Sequence, residues 1–140
     1  VDMLGSENTF LKSDALFILG NLSKVDSENK FEGVFDRFYK LLDDESMITA
    51  ANLVGVSKVI AKAKPELQSK ITDRLLSIDM THRGSECKNV IKGHLISTLD
   101  AYFDESKDKI KILDFVRKEL KNTRPATRRK AEAFLKKWET

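Results

Sequence analysis

The sequence predicts an all-α fold of stacked helical hairpins, about seven helices in a single domain spanning residues 1–140. Three observations carry this prediction. The chain has only two Pro and six Gly in 140 residues, and it is rich in Lys, Glu, Leu and Ala, a composition that favours helix. No stretch alternates apolar and polar residues for long, as a half-buried strand would. Third, sliding the sequence along itself by forty residues repeatedly brings apolar positions into register. Leu11, Ala51, Ile91 and Ala131 form one column, and Ala15, Gly55, Leu95 and Leu135 another. Leu16, Val56 and Ile96 agree, as do Leu19, Val59 and Leu99, and later in the unit Phe35, Leu75 and Phe115 coincide. Columns four and eight residues apart share one helix face, so the same buried face recurs in each unit. That is the mark of an internal repeat. The units fall at about 7–46, 47–86 and 87–126, followed by a terminal helix at 127–139.

The first helix is expected to start near Ser6 and end around Val25, with Leu11, Ala15, Ile18 and Leu22 as its buried stripe and Phe10 and Phe17 beside it. Asp26 or Ser27 can cap the next helix, which carries Phe31, Phe35, Phe38 and Leu42 on one face. Asp43-Asp44-Glu45-Ser46 breaks the apolar pattern and offers caps and negative charge to a third helix over Met47 to about Ala63. That helix is apolar or small on most of its circumference, so it must be contacted on several sides. Lys64-Pro65-Glu66 restarts the chain, because Pro is tolerated in a first helical turn. The fourth helix buries Leu67, Ile71, Leu75 and Ile78.

Thr81-His82-Arg83-Gly84-Ser85 reads as a loop, with Ser85 as the cap of a fifth helix bearing Val90, Ile91, Leu95, Leu99, Tyr102 and Phe103. Asp104-Glu105-Ser106 ends it. The sixth helix runs from about Asp108 to Lys121, with Ile110, Leu113, Val116 and Leu120 inward. After Asn122-Thr123-Arg124-Pro125 a short seventh helix places Ala131, Phe134, Leu135 and Trp138 on one stripe.

Composition narrows the function classes. With 41% hydrophobic residues the chain can bury a substantial core as one domain. No apolar run reaches about 18 residues and no charged-then-apolar leader is present, so the expectation is a cytoplasmic protein without a membrane span. The single Cys87 cannot form an internal disulfide. Net charge is +3, unevenly spread. Residues 1–70 carry 9 basic and 11 acidic side chains, whereas residues 71–140 carry 16 and 11. Such a positive region attracts acidic partners, nucleic acid among them.

The stretch Leu120 to Leu135, LKNTRPATRRKAEAFL, resembles a HEAT repeat. Thr127-Arg128, Ala131 and Leu135 stand where that family has a Val-Arg-like pair, an Ala and a closing Leu. Met47, Ala51 and Gly55 meet the same frame less well, as do Cys87-Lys88, Ile91 and Leu95. Ile48 and Asn8 replace the basic residue of the frame. The forty-residue period suits the HEAT and armadillo range of about 40 to 47, and not the period of about 34 of tetratricopeptide repeats. A non-repetitive helical bundle is the other architecture open to the sequence. The resemblance implies a right-handed α-solenoid of three HEAT-like repeats plus one terminal helix, with odd helices on the convex side and even helices on the concave side. It also implies a scaffold that binds a partner, with no chemistry common to the family.

Candidate site residues follow from removing the buried stripes of the even helices. Lys30, Arg37 and Lys40 are left on the second helix, Lys70 and Arg74 with Asp73 on the fourth, and Lys111, Arg117, Lys118 and Lys121 with Asp114 on the sixth. Stacked in register, they form a basic strip for an acidic protein segment, or for the phosphates of a nucleic acid. Three solvated helix faces would look the same in sequence. Arg124, Arg128, Arg129 and Lys130 form a second basic cluster at the start of the last helix, where Arg128 could instead bond a carbonyl of the preceding unit. HEAT-like DNA glycosylases keep a DNA-repair role open, but the sole Trp138 sits on the terminal helix. There Trp138 and Phe134 form either a packing pair or an edge for end-to-end self-association. Cys87, His82 and His94 match no zinc spacing. No Gly-rich phosphate loop or nucleophile elbow is present, so neither metal, cofactor nor enzymatic activity is expected.

Overall fold

A computed structural model of the chain describes residues 2–6, 8–26 and 30–139, with side chains described for all of these except 2, 3 and 9–11. The described residues form seven α-helices and no strand: α1 (Thr9–Leu22), α2 (Phe35–Tyr39), α3 (Met47–Ala63), α4 (Gln68–Leu76), α5 (Ser85–Tyr102), α6 (Lys109–Lys118) and α7 (Pro125–Trp138). Short 3-10 segments bracket the even helices, so α2 is only the middle of a longer helical run from Lys30 to Asp43.

Local chemistry explains most boundaries. The Asp26 carboxylate accepts from the backbone N–H groups of Lys30 (2.8 Å) and Phe31 (2.7 Å), which anchors the start of that run. These two bonds, that from Phe31 above all, hold the Asp26 carboxyl below its usual range. Ser46 caps α3 by accepting from the Thr49 N–H at 3.3 Å. Pro65 opens the 3-10 turn that leads into α4. The expected cap at Ser85 is displaced by one residue: Gly84 holds the cap position and Ser85 is the first residue of α5. The preceding Arg83 fixes this approach, because its guanidinium donates to the carbonyls of Leu42 and Asp44 and is buried there. α7 likewise begins at Pro125, two residues before the expected start, with Pro in the first turn.

The odd helices pack in chain order, α1 on α3, α3 on α5 and α5 on α7. α3 is therefore covered on two sides, as its nearly all-round apolar surface requires. α4 contacts α3, and α6 contacts α7. One core links Leu16, Phe35, Phe38, Leu53, Ile60, Leu75, Leu95, Leu99, Tyr102, Val116 and Phe134. Of the forty-residue columns, Leu95 with Ala15 and Leu135, Leu16 with Val56 and Ile96, and Phe35 with Leu75 and Phe115 are all buried. Two deep hydroxyl pairs tie the helices together: Tyr39 with Ser57 at 3.0 Å and Thr72 with Tyr102 at 2.9 Å. Burial raises both tyrosines, Tyr102 to about 12.

Two expected stripes are corrected. On α1, Ile18 and Leu22 are 51% and 53% exposed, and Phe17 is exposed beside them. Leu16, Gly20 and Ser23 turn inward instead. Gly20 permits this, since a Cβ there would overlap the Val56 side chain, and the two helices meet at that point. On α6, Ile110 and Leu120 are exposed, and Ile112, Phe115, Val116 and Glu119 face inward. The inner phase carries the larger apolar payload of Phe115 and lets Glu119 reach its partners Asn122 (2.7 Å) and Lys92 (3.4 Å). The roles expected of Phe10, Leu11 and Ser27 lie outside the described residues.

Candidate binding face on the even-numbered helices

The even helices carry an Asp-basic dipeptide at Asp36-Arg37 and again at Asp73-Arg74. Each aspartate reaches forward to the next even helix. Asp36 pairs with Arg74, and Asp73 pairs with the Lys111 ammonium at 2.9 Å. The Asp73 carboxylate raises the pKa of Lys111 above its ordinary value. Lys70 and Arg74 also lie over the Phe35 ring, 4.4 and 5.4 Å from its centroid. The consequence is a ladder of alternating charge from α2 through α4 to α6, with one aromatic ring beneath its first rung. Both pairs are exposed and screened by solvent, so they add little to stability; their effect is to fix which cations are spoken for.

The strip read from sequence is therefore divided. Arg74 and Lys111 belong to the ladder. Arg117 turns to the other side, pairing with Asp114 at 3.1 Å and with Glu139 beyond α7. Lys30 and Arg37 are exposed at the start and middle of the α2 run. Among the described residues, Lys40, Lys70, Lys118 and Lys121 are exposed and make no ion pair. Lys40 and Arg74 meet at a shallow hollow of about 230 Å3 between the ends of α2 and α4, lined also by Tyr39, Asp43, Ser77 and the fully solvated Met80.

The second basic cluster is mostly structural. Arg128 donates to the carbonyls of Asn122 (2.8 Å) and Thr123 (3.2 Å), closing the turn before its own helix. Arg124 lies against Thr127 at 3.4 Å, and Lys130 donates to the Gly93 carbonyl at 3.4 Å. Of the four, Arg129 is exposed and the other three are partly buried. Two of these cations act on His94, a residue largely open to solvent: its pKa is lowered by partial desolvation of the ring first and by Lys130 and Arg124 next. Trp138 is half-buried, stacked with Phe103 at 5.0 Å, and donates to the Asp100 carboxylate at 2.7 Å. The apolar stripe of α7 thus faces inward. Among the described residues no three His, Cys, Asp or Glu side chains cluster as a metal site would require, and no helix is long and apolar enough to cross a membrane.

Sequence reasoning passed over several groups that organise this surface. Asp36 was one, although its dipeptide repeats visibly at Asp73-Arg74. Arg83 was another; a lone Arg inside a short loop gave no periodic signal. A third was Lys64, which is buried next to Pro65 and paired with Asp26 and Glu32, each at 3.2 Å. Comparison with protein-family models, curated proteins and solved structures returns no match.

Proposed function

We propose that this chain is a short HEAT-like α-solenoid that works as a protein-interaction module rather than an enzyme, holding an acidic segment of a partner along α2, α4 and α6. The architectural part is supported by the serial packing of α1, α3, α5 and α7, and by charge pairs that recur from α2–α4 to α4–α6. The observation that carries the binding part is the set Lys40, Lys70, Lys118 and Lys121, solvated on three successive even helices and without carboxylate partners among the described residues. The ladder between them spaces these cations and keeps the intervening surface near neutral. An extended chain with intermittent carboxylates fits such spacing better than a uniform polyanion. Duplex nucleic acid, which presents a charge about every 1.7 Å, would meet Asp36, Asp73 and Asp114 as well.

The test is binding of a fluorescent Glu-rich peptide at low salt, compared with a duplex oligonucleotide. Charge reversal at Lys40, Lys118 and Lys121 should weaken the peptide at least about tenfold, equivalent to ~1.4 kcal/mol, with helicity unchanged. Unaltered peptide affinity removes this face from the reading. Oligonucleotide binding with a log-log salt slope near −0.9 per contact would move the assignment to nucleic acid.

A further inference from the structure

The groove between α5 and α7 gathers cations that the rest of the fold leaves unanswered. Gly93 lies at its centre. A Cβ there would stand 3.5 Å from Nη1 of Arg124, 3.8 Å from Cδ of Lys130 and 3.1 Å from the Thr127 hydroxyl. The missing side chain is what lets the guanidinium and the lysine stem close over α5. His94 follows on the same helix, exposed and within reach of both charges. Arg124 and Lys130 each spend a single long hydrogen bond on the protein, 3.4 Å to the Thr127 hydroxyl and 3.4 Å to the Gly93 carbonyl. Most of their N–H donors are therefore unused, and neither has a carboxylate partner among the described residues. The first turn of α7 holds no acid. Glu132, two positions past Lys130, lies about 200° away round the helix. Like charges gathered without a counter-ion repel, and the positive end of α7 adds to the repulsion. An anion in the groove relieves both.

The same groove continues into a hollow of about 180 Å3 that Lys130 also lines. Ile96, Ala133 and Phe134 form its apolar wall. Ser97, whose hydroxyl donates to the Gly93 carbonyl at 3.4 Å, sits where hollow and cations meet. A cavity of about 150 Å3 holds a benzene ring, so the hollow has room for one ring and little more. Asp100 closes its far end, about two turns along α5 from Gly93. Its carboxylate is held there by the Trp138 indole N–H at 2.7 Å and the Lys137 ammonium at 3.2 Å. An anion thus has one place to sit, at the Gly93 end, with the apolar wall beside it. A guanidinium, an ammonium and an imidazole converging on one point suit the three terminal oxygens of a phosphate monoester better than the two of a carboxylate. We infer that this groove binds a small phosphate monoester carrying a single ring, the phosphate on Arg124, Lys130 and His94 and the ring against Ile96, Ala133 and Phe134. The inference draws on no residue of the even-helix face and stands apart from the acidic-partner reading.

Phenyl phosphate, inorganic phosphate and phenol serve as probes, each titrated into the full chain at constant ionic strength and about pH 7.5, where the phosphate is largely dianionic. The ring protons of the two histidines report binding by NMR. Phenyl phosphate is expected to shift the His94 signals saturably, with a Kd below about 1 mM. His82, bonded to Asp43 beyond the ends of the even helices, should not respond. Inorganic phosphate should bind at least about fivefold more weakly, for want of a ring to bury, and phenol not detectably. Lys130→Gln and Arg124→Gln should each weaken phenyl phosphate at least about tenfold, while Arg129→Gln leaves it unchanged. Ala133→Leu, which fills the hollow, should erase the preference for phenyl phosphate over inorganic phosphate. Circular dichroism checks the fold of each variant, and the wild-type ranking of the three probes tests the proposal without any variant. A His94 signal that phenyl phosphate up to about 10 mM does not move overturns the proposal. Equal affinity for phenyl phosphate and inorganic phosphate, or an equal loss with Arg129→Gln and Lys130→Gln, overturns it as well, leaving only general attraction of anions to a basic surface.

Discussion

Gly20 and Gly55 show how one residue type serves opposite ends within the same pair of helices. A methyl at Gly20 would overlap Val56, so α1 and α3 can approach there only because the side chain is absent. At Gly55, in the middle of α3, an added Cβ meets nothing within 4 Å. Gly20→Ala should therefore destabilise by roughly 1–3 kcal/mol of overpacking, and Val56→Ala in the same molecule should recover part of the loss. Gly55→Ala should stabilise by up to about 1 kcal/mol through helix propensity alone. Urea midpoints at constant slope measure both, and equal signs would refute the packing account. His94 makes a second case at this scale. Burial, Lys130 and Arg124 all lower its pKa, so folding favours the neutral ring. Its folded value lies below the unfolded one near 6.5, so the unfolded state takes up the proton first. The stability it contributes is complete above about pH 6.5 and is lost as pH falls through the folded value. A proton-NMR titration should place its midpoint below that of an unfolded reference, and Lys130→Gln should move it back upward.

Helix α6 shows where an element could be read from sequence and where its orientation could not. Its existence and bounds follow from composition and from the helical periodicity, and the Lys109–Lys118 helix with its 3-10 end matches the expected span. Its rotation does not follow, because Ile110-Leu113-Leu120 and Ile112-Phe115-Glu119 are both helical stripes and Val116 belongs to either. The first is apolar throughout, whereas the second ends on a carboxylate, a group ordinarily kept out of a core. In the fold Glu119 is buried with Lys92 and Asn122 as partners, and the second stripe turns inward. α1 misled in the opposite way: Ile18 and Leu22 have the spacing of a buried stripe and are exposed, because periodicity records that a face is apolar and not whether this chain covers it. The apolar stripe through α4 was legible, since Leu67, Ile71, Leu75 and Ile78 are all buried, although Gln68 and Thr72 are buried beside them without an apolar signal; α3 was legible too, its all-round apolarity requiring neighbours on two sides. The exposure of the even face was half legible: periodicity placed its cations at the surface, but ion pairing, which depends on the register between helices, could not be read there and engages Arg74, Lys111 and Arg117. For α6 the outcome is direct. Ile112→Ala should cost about 2–5 kcal/mol, while Ile110→Ala should stay within about 0.5 kcal/mol, as measured by denaturant unfolding. The reverse order would restore the phase expected from sequence.

Across the whole molecule the serial packing of the odd helices sets how stability is distributed. α3 is held by α1 and α5, and α5 by α3 and α7, while α1 is held by α3 and, beside it, only by short 3-10 segments, that at Asp2–Gly5 contributing the buried Leu4. Where each helix leans only on its neighbours, stability is close to a sum of local interfaces, and an end can open without the middle. The two ends are not equal. α7 is fastened by the Phe103, Phe134 and Trp138 rings, by the Asp100 bond to Trp138, and by the hydroxyl of Thr127 donating to the Asn89 carbonyl at 2.7 Å. α1 has the Lys12–Asp44 pair at 2.7 Å and the bond from Asn52 to Ser13 at 2.9 Å, and no aromatic clamp among its described side chains. Opening should therefore start at α1. Native-state hydrogen exchange should find α3 and α5 amides protected to the global limit, α7 close behind, and α1 exchanging through a smaller opening. Leu16→Ala should lower protection in α1 only, whereas Leu53→Ala, at the centre of α3, should lower it everywhere by the same 2–5 kcal/mol or so that a buried Leu truncation costs. If Leu16→Ala lowers α5 protection equally, the chain unfolds as one cooperative bundle and the sum-of-interfaces picture fails.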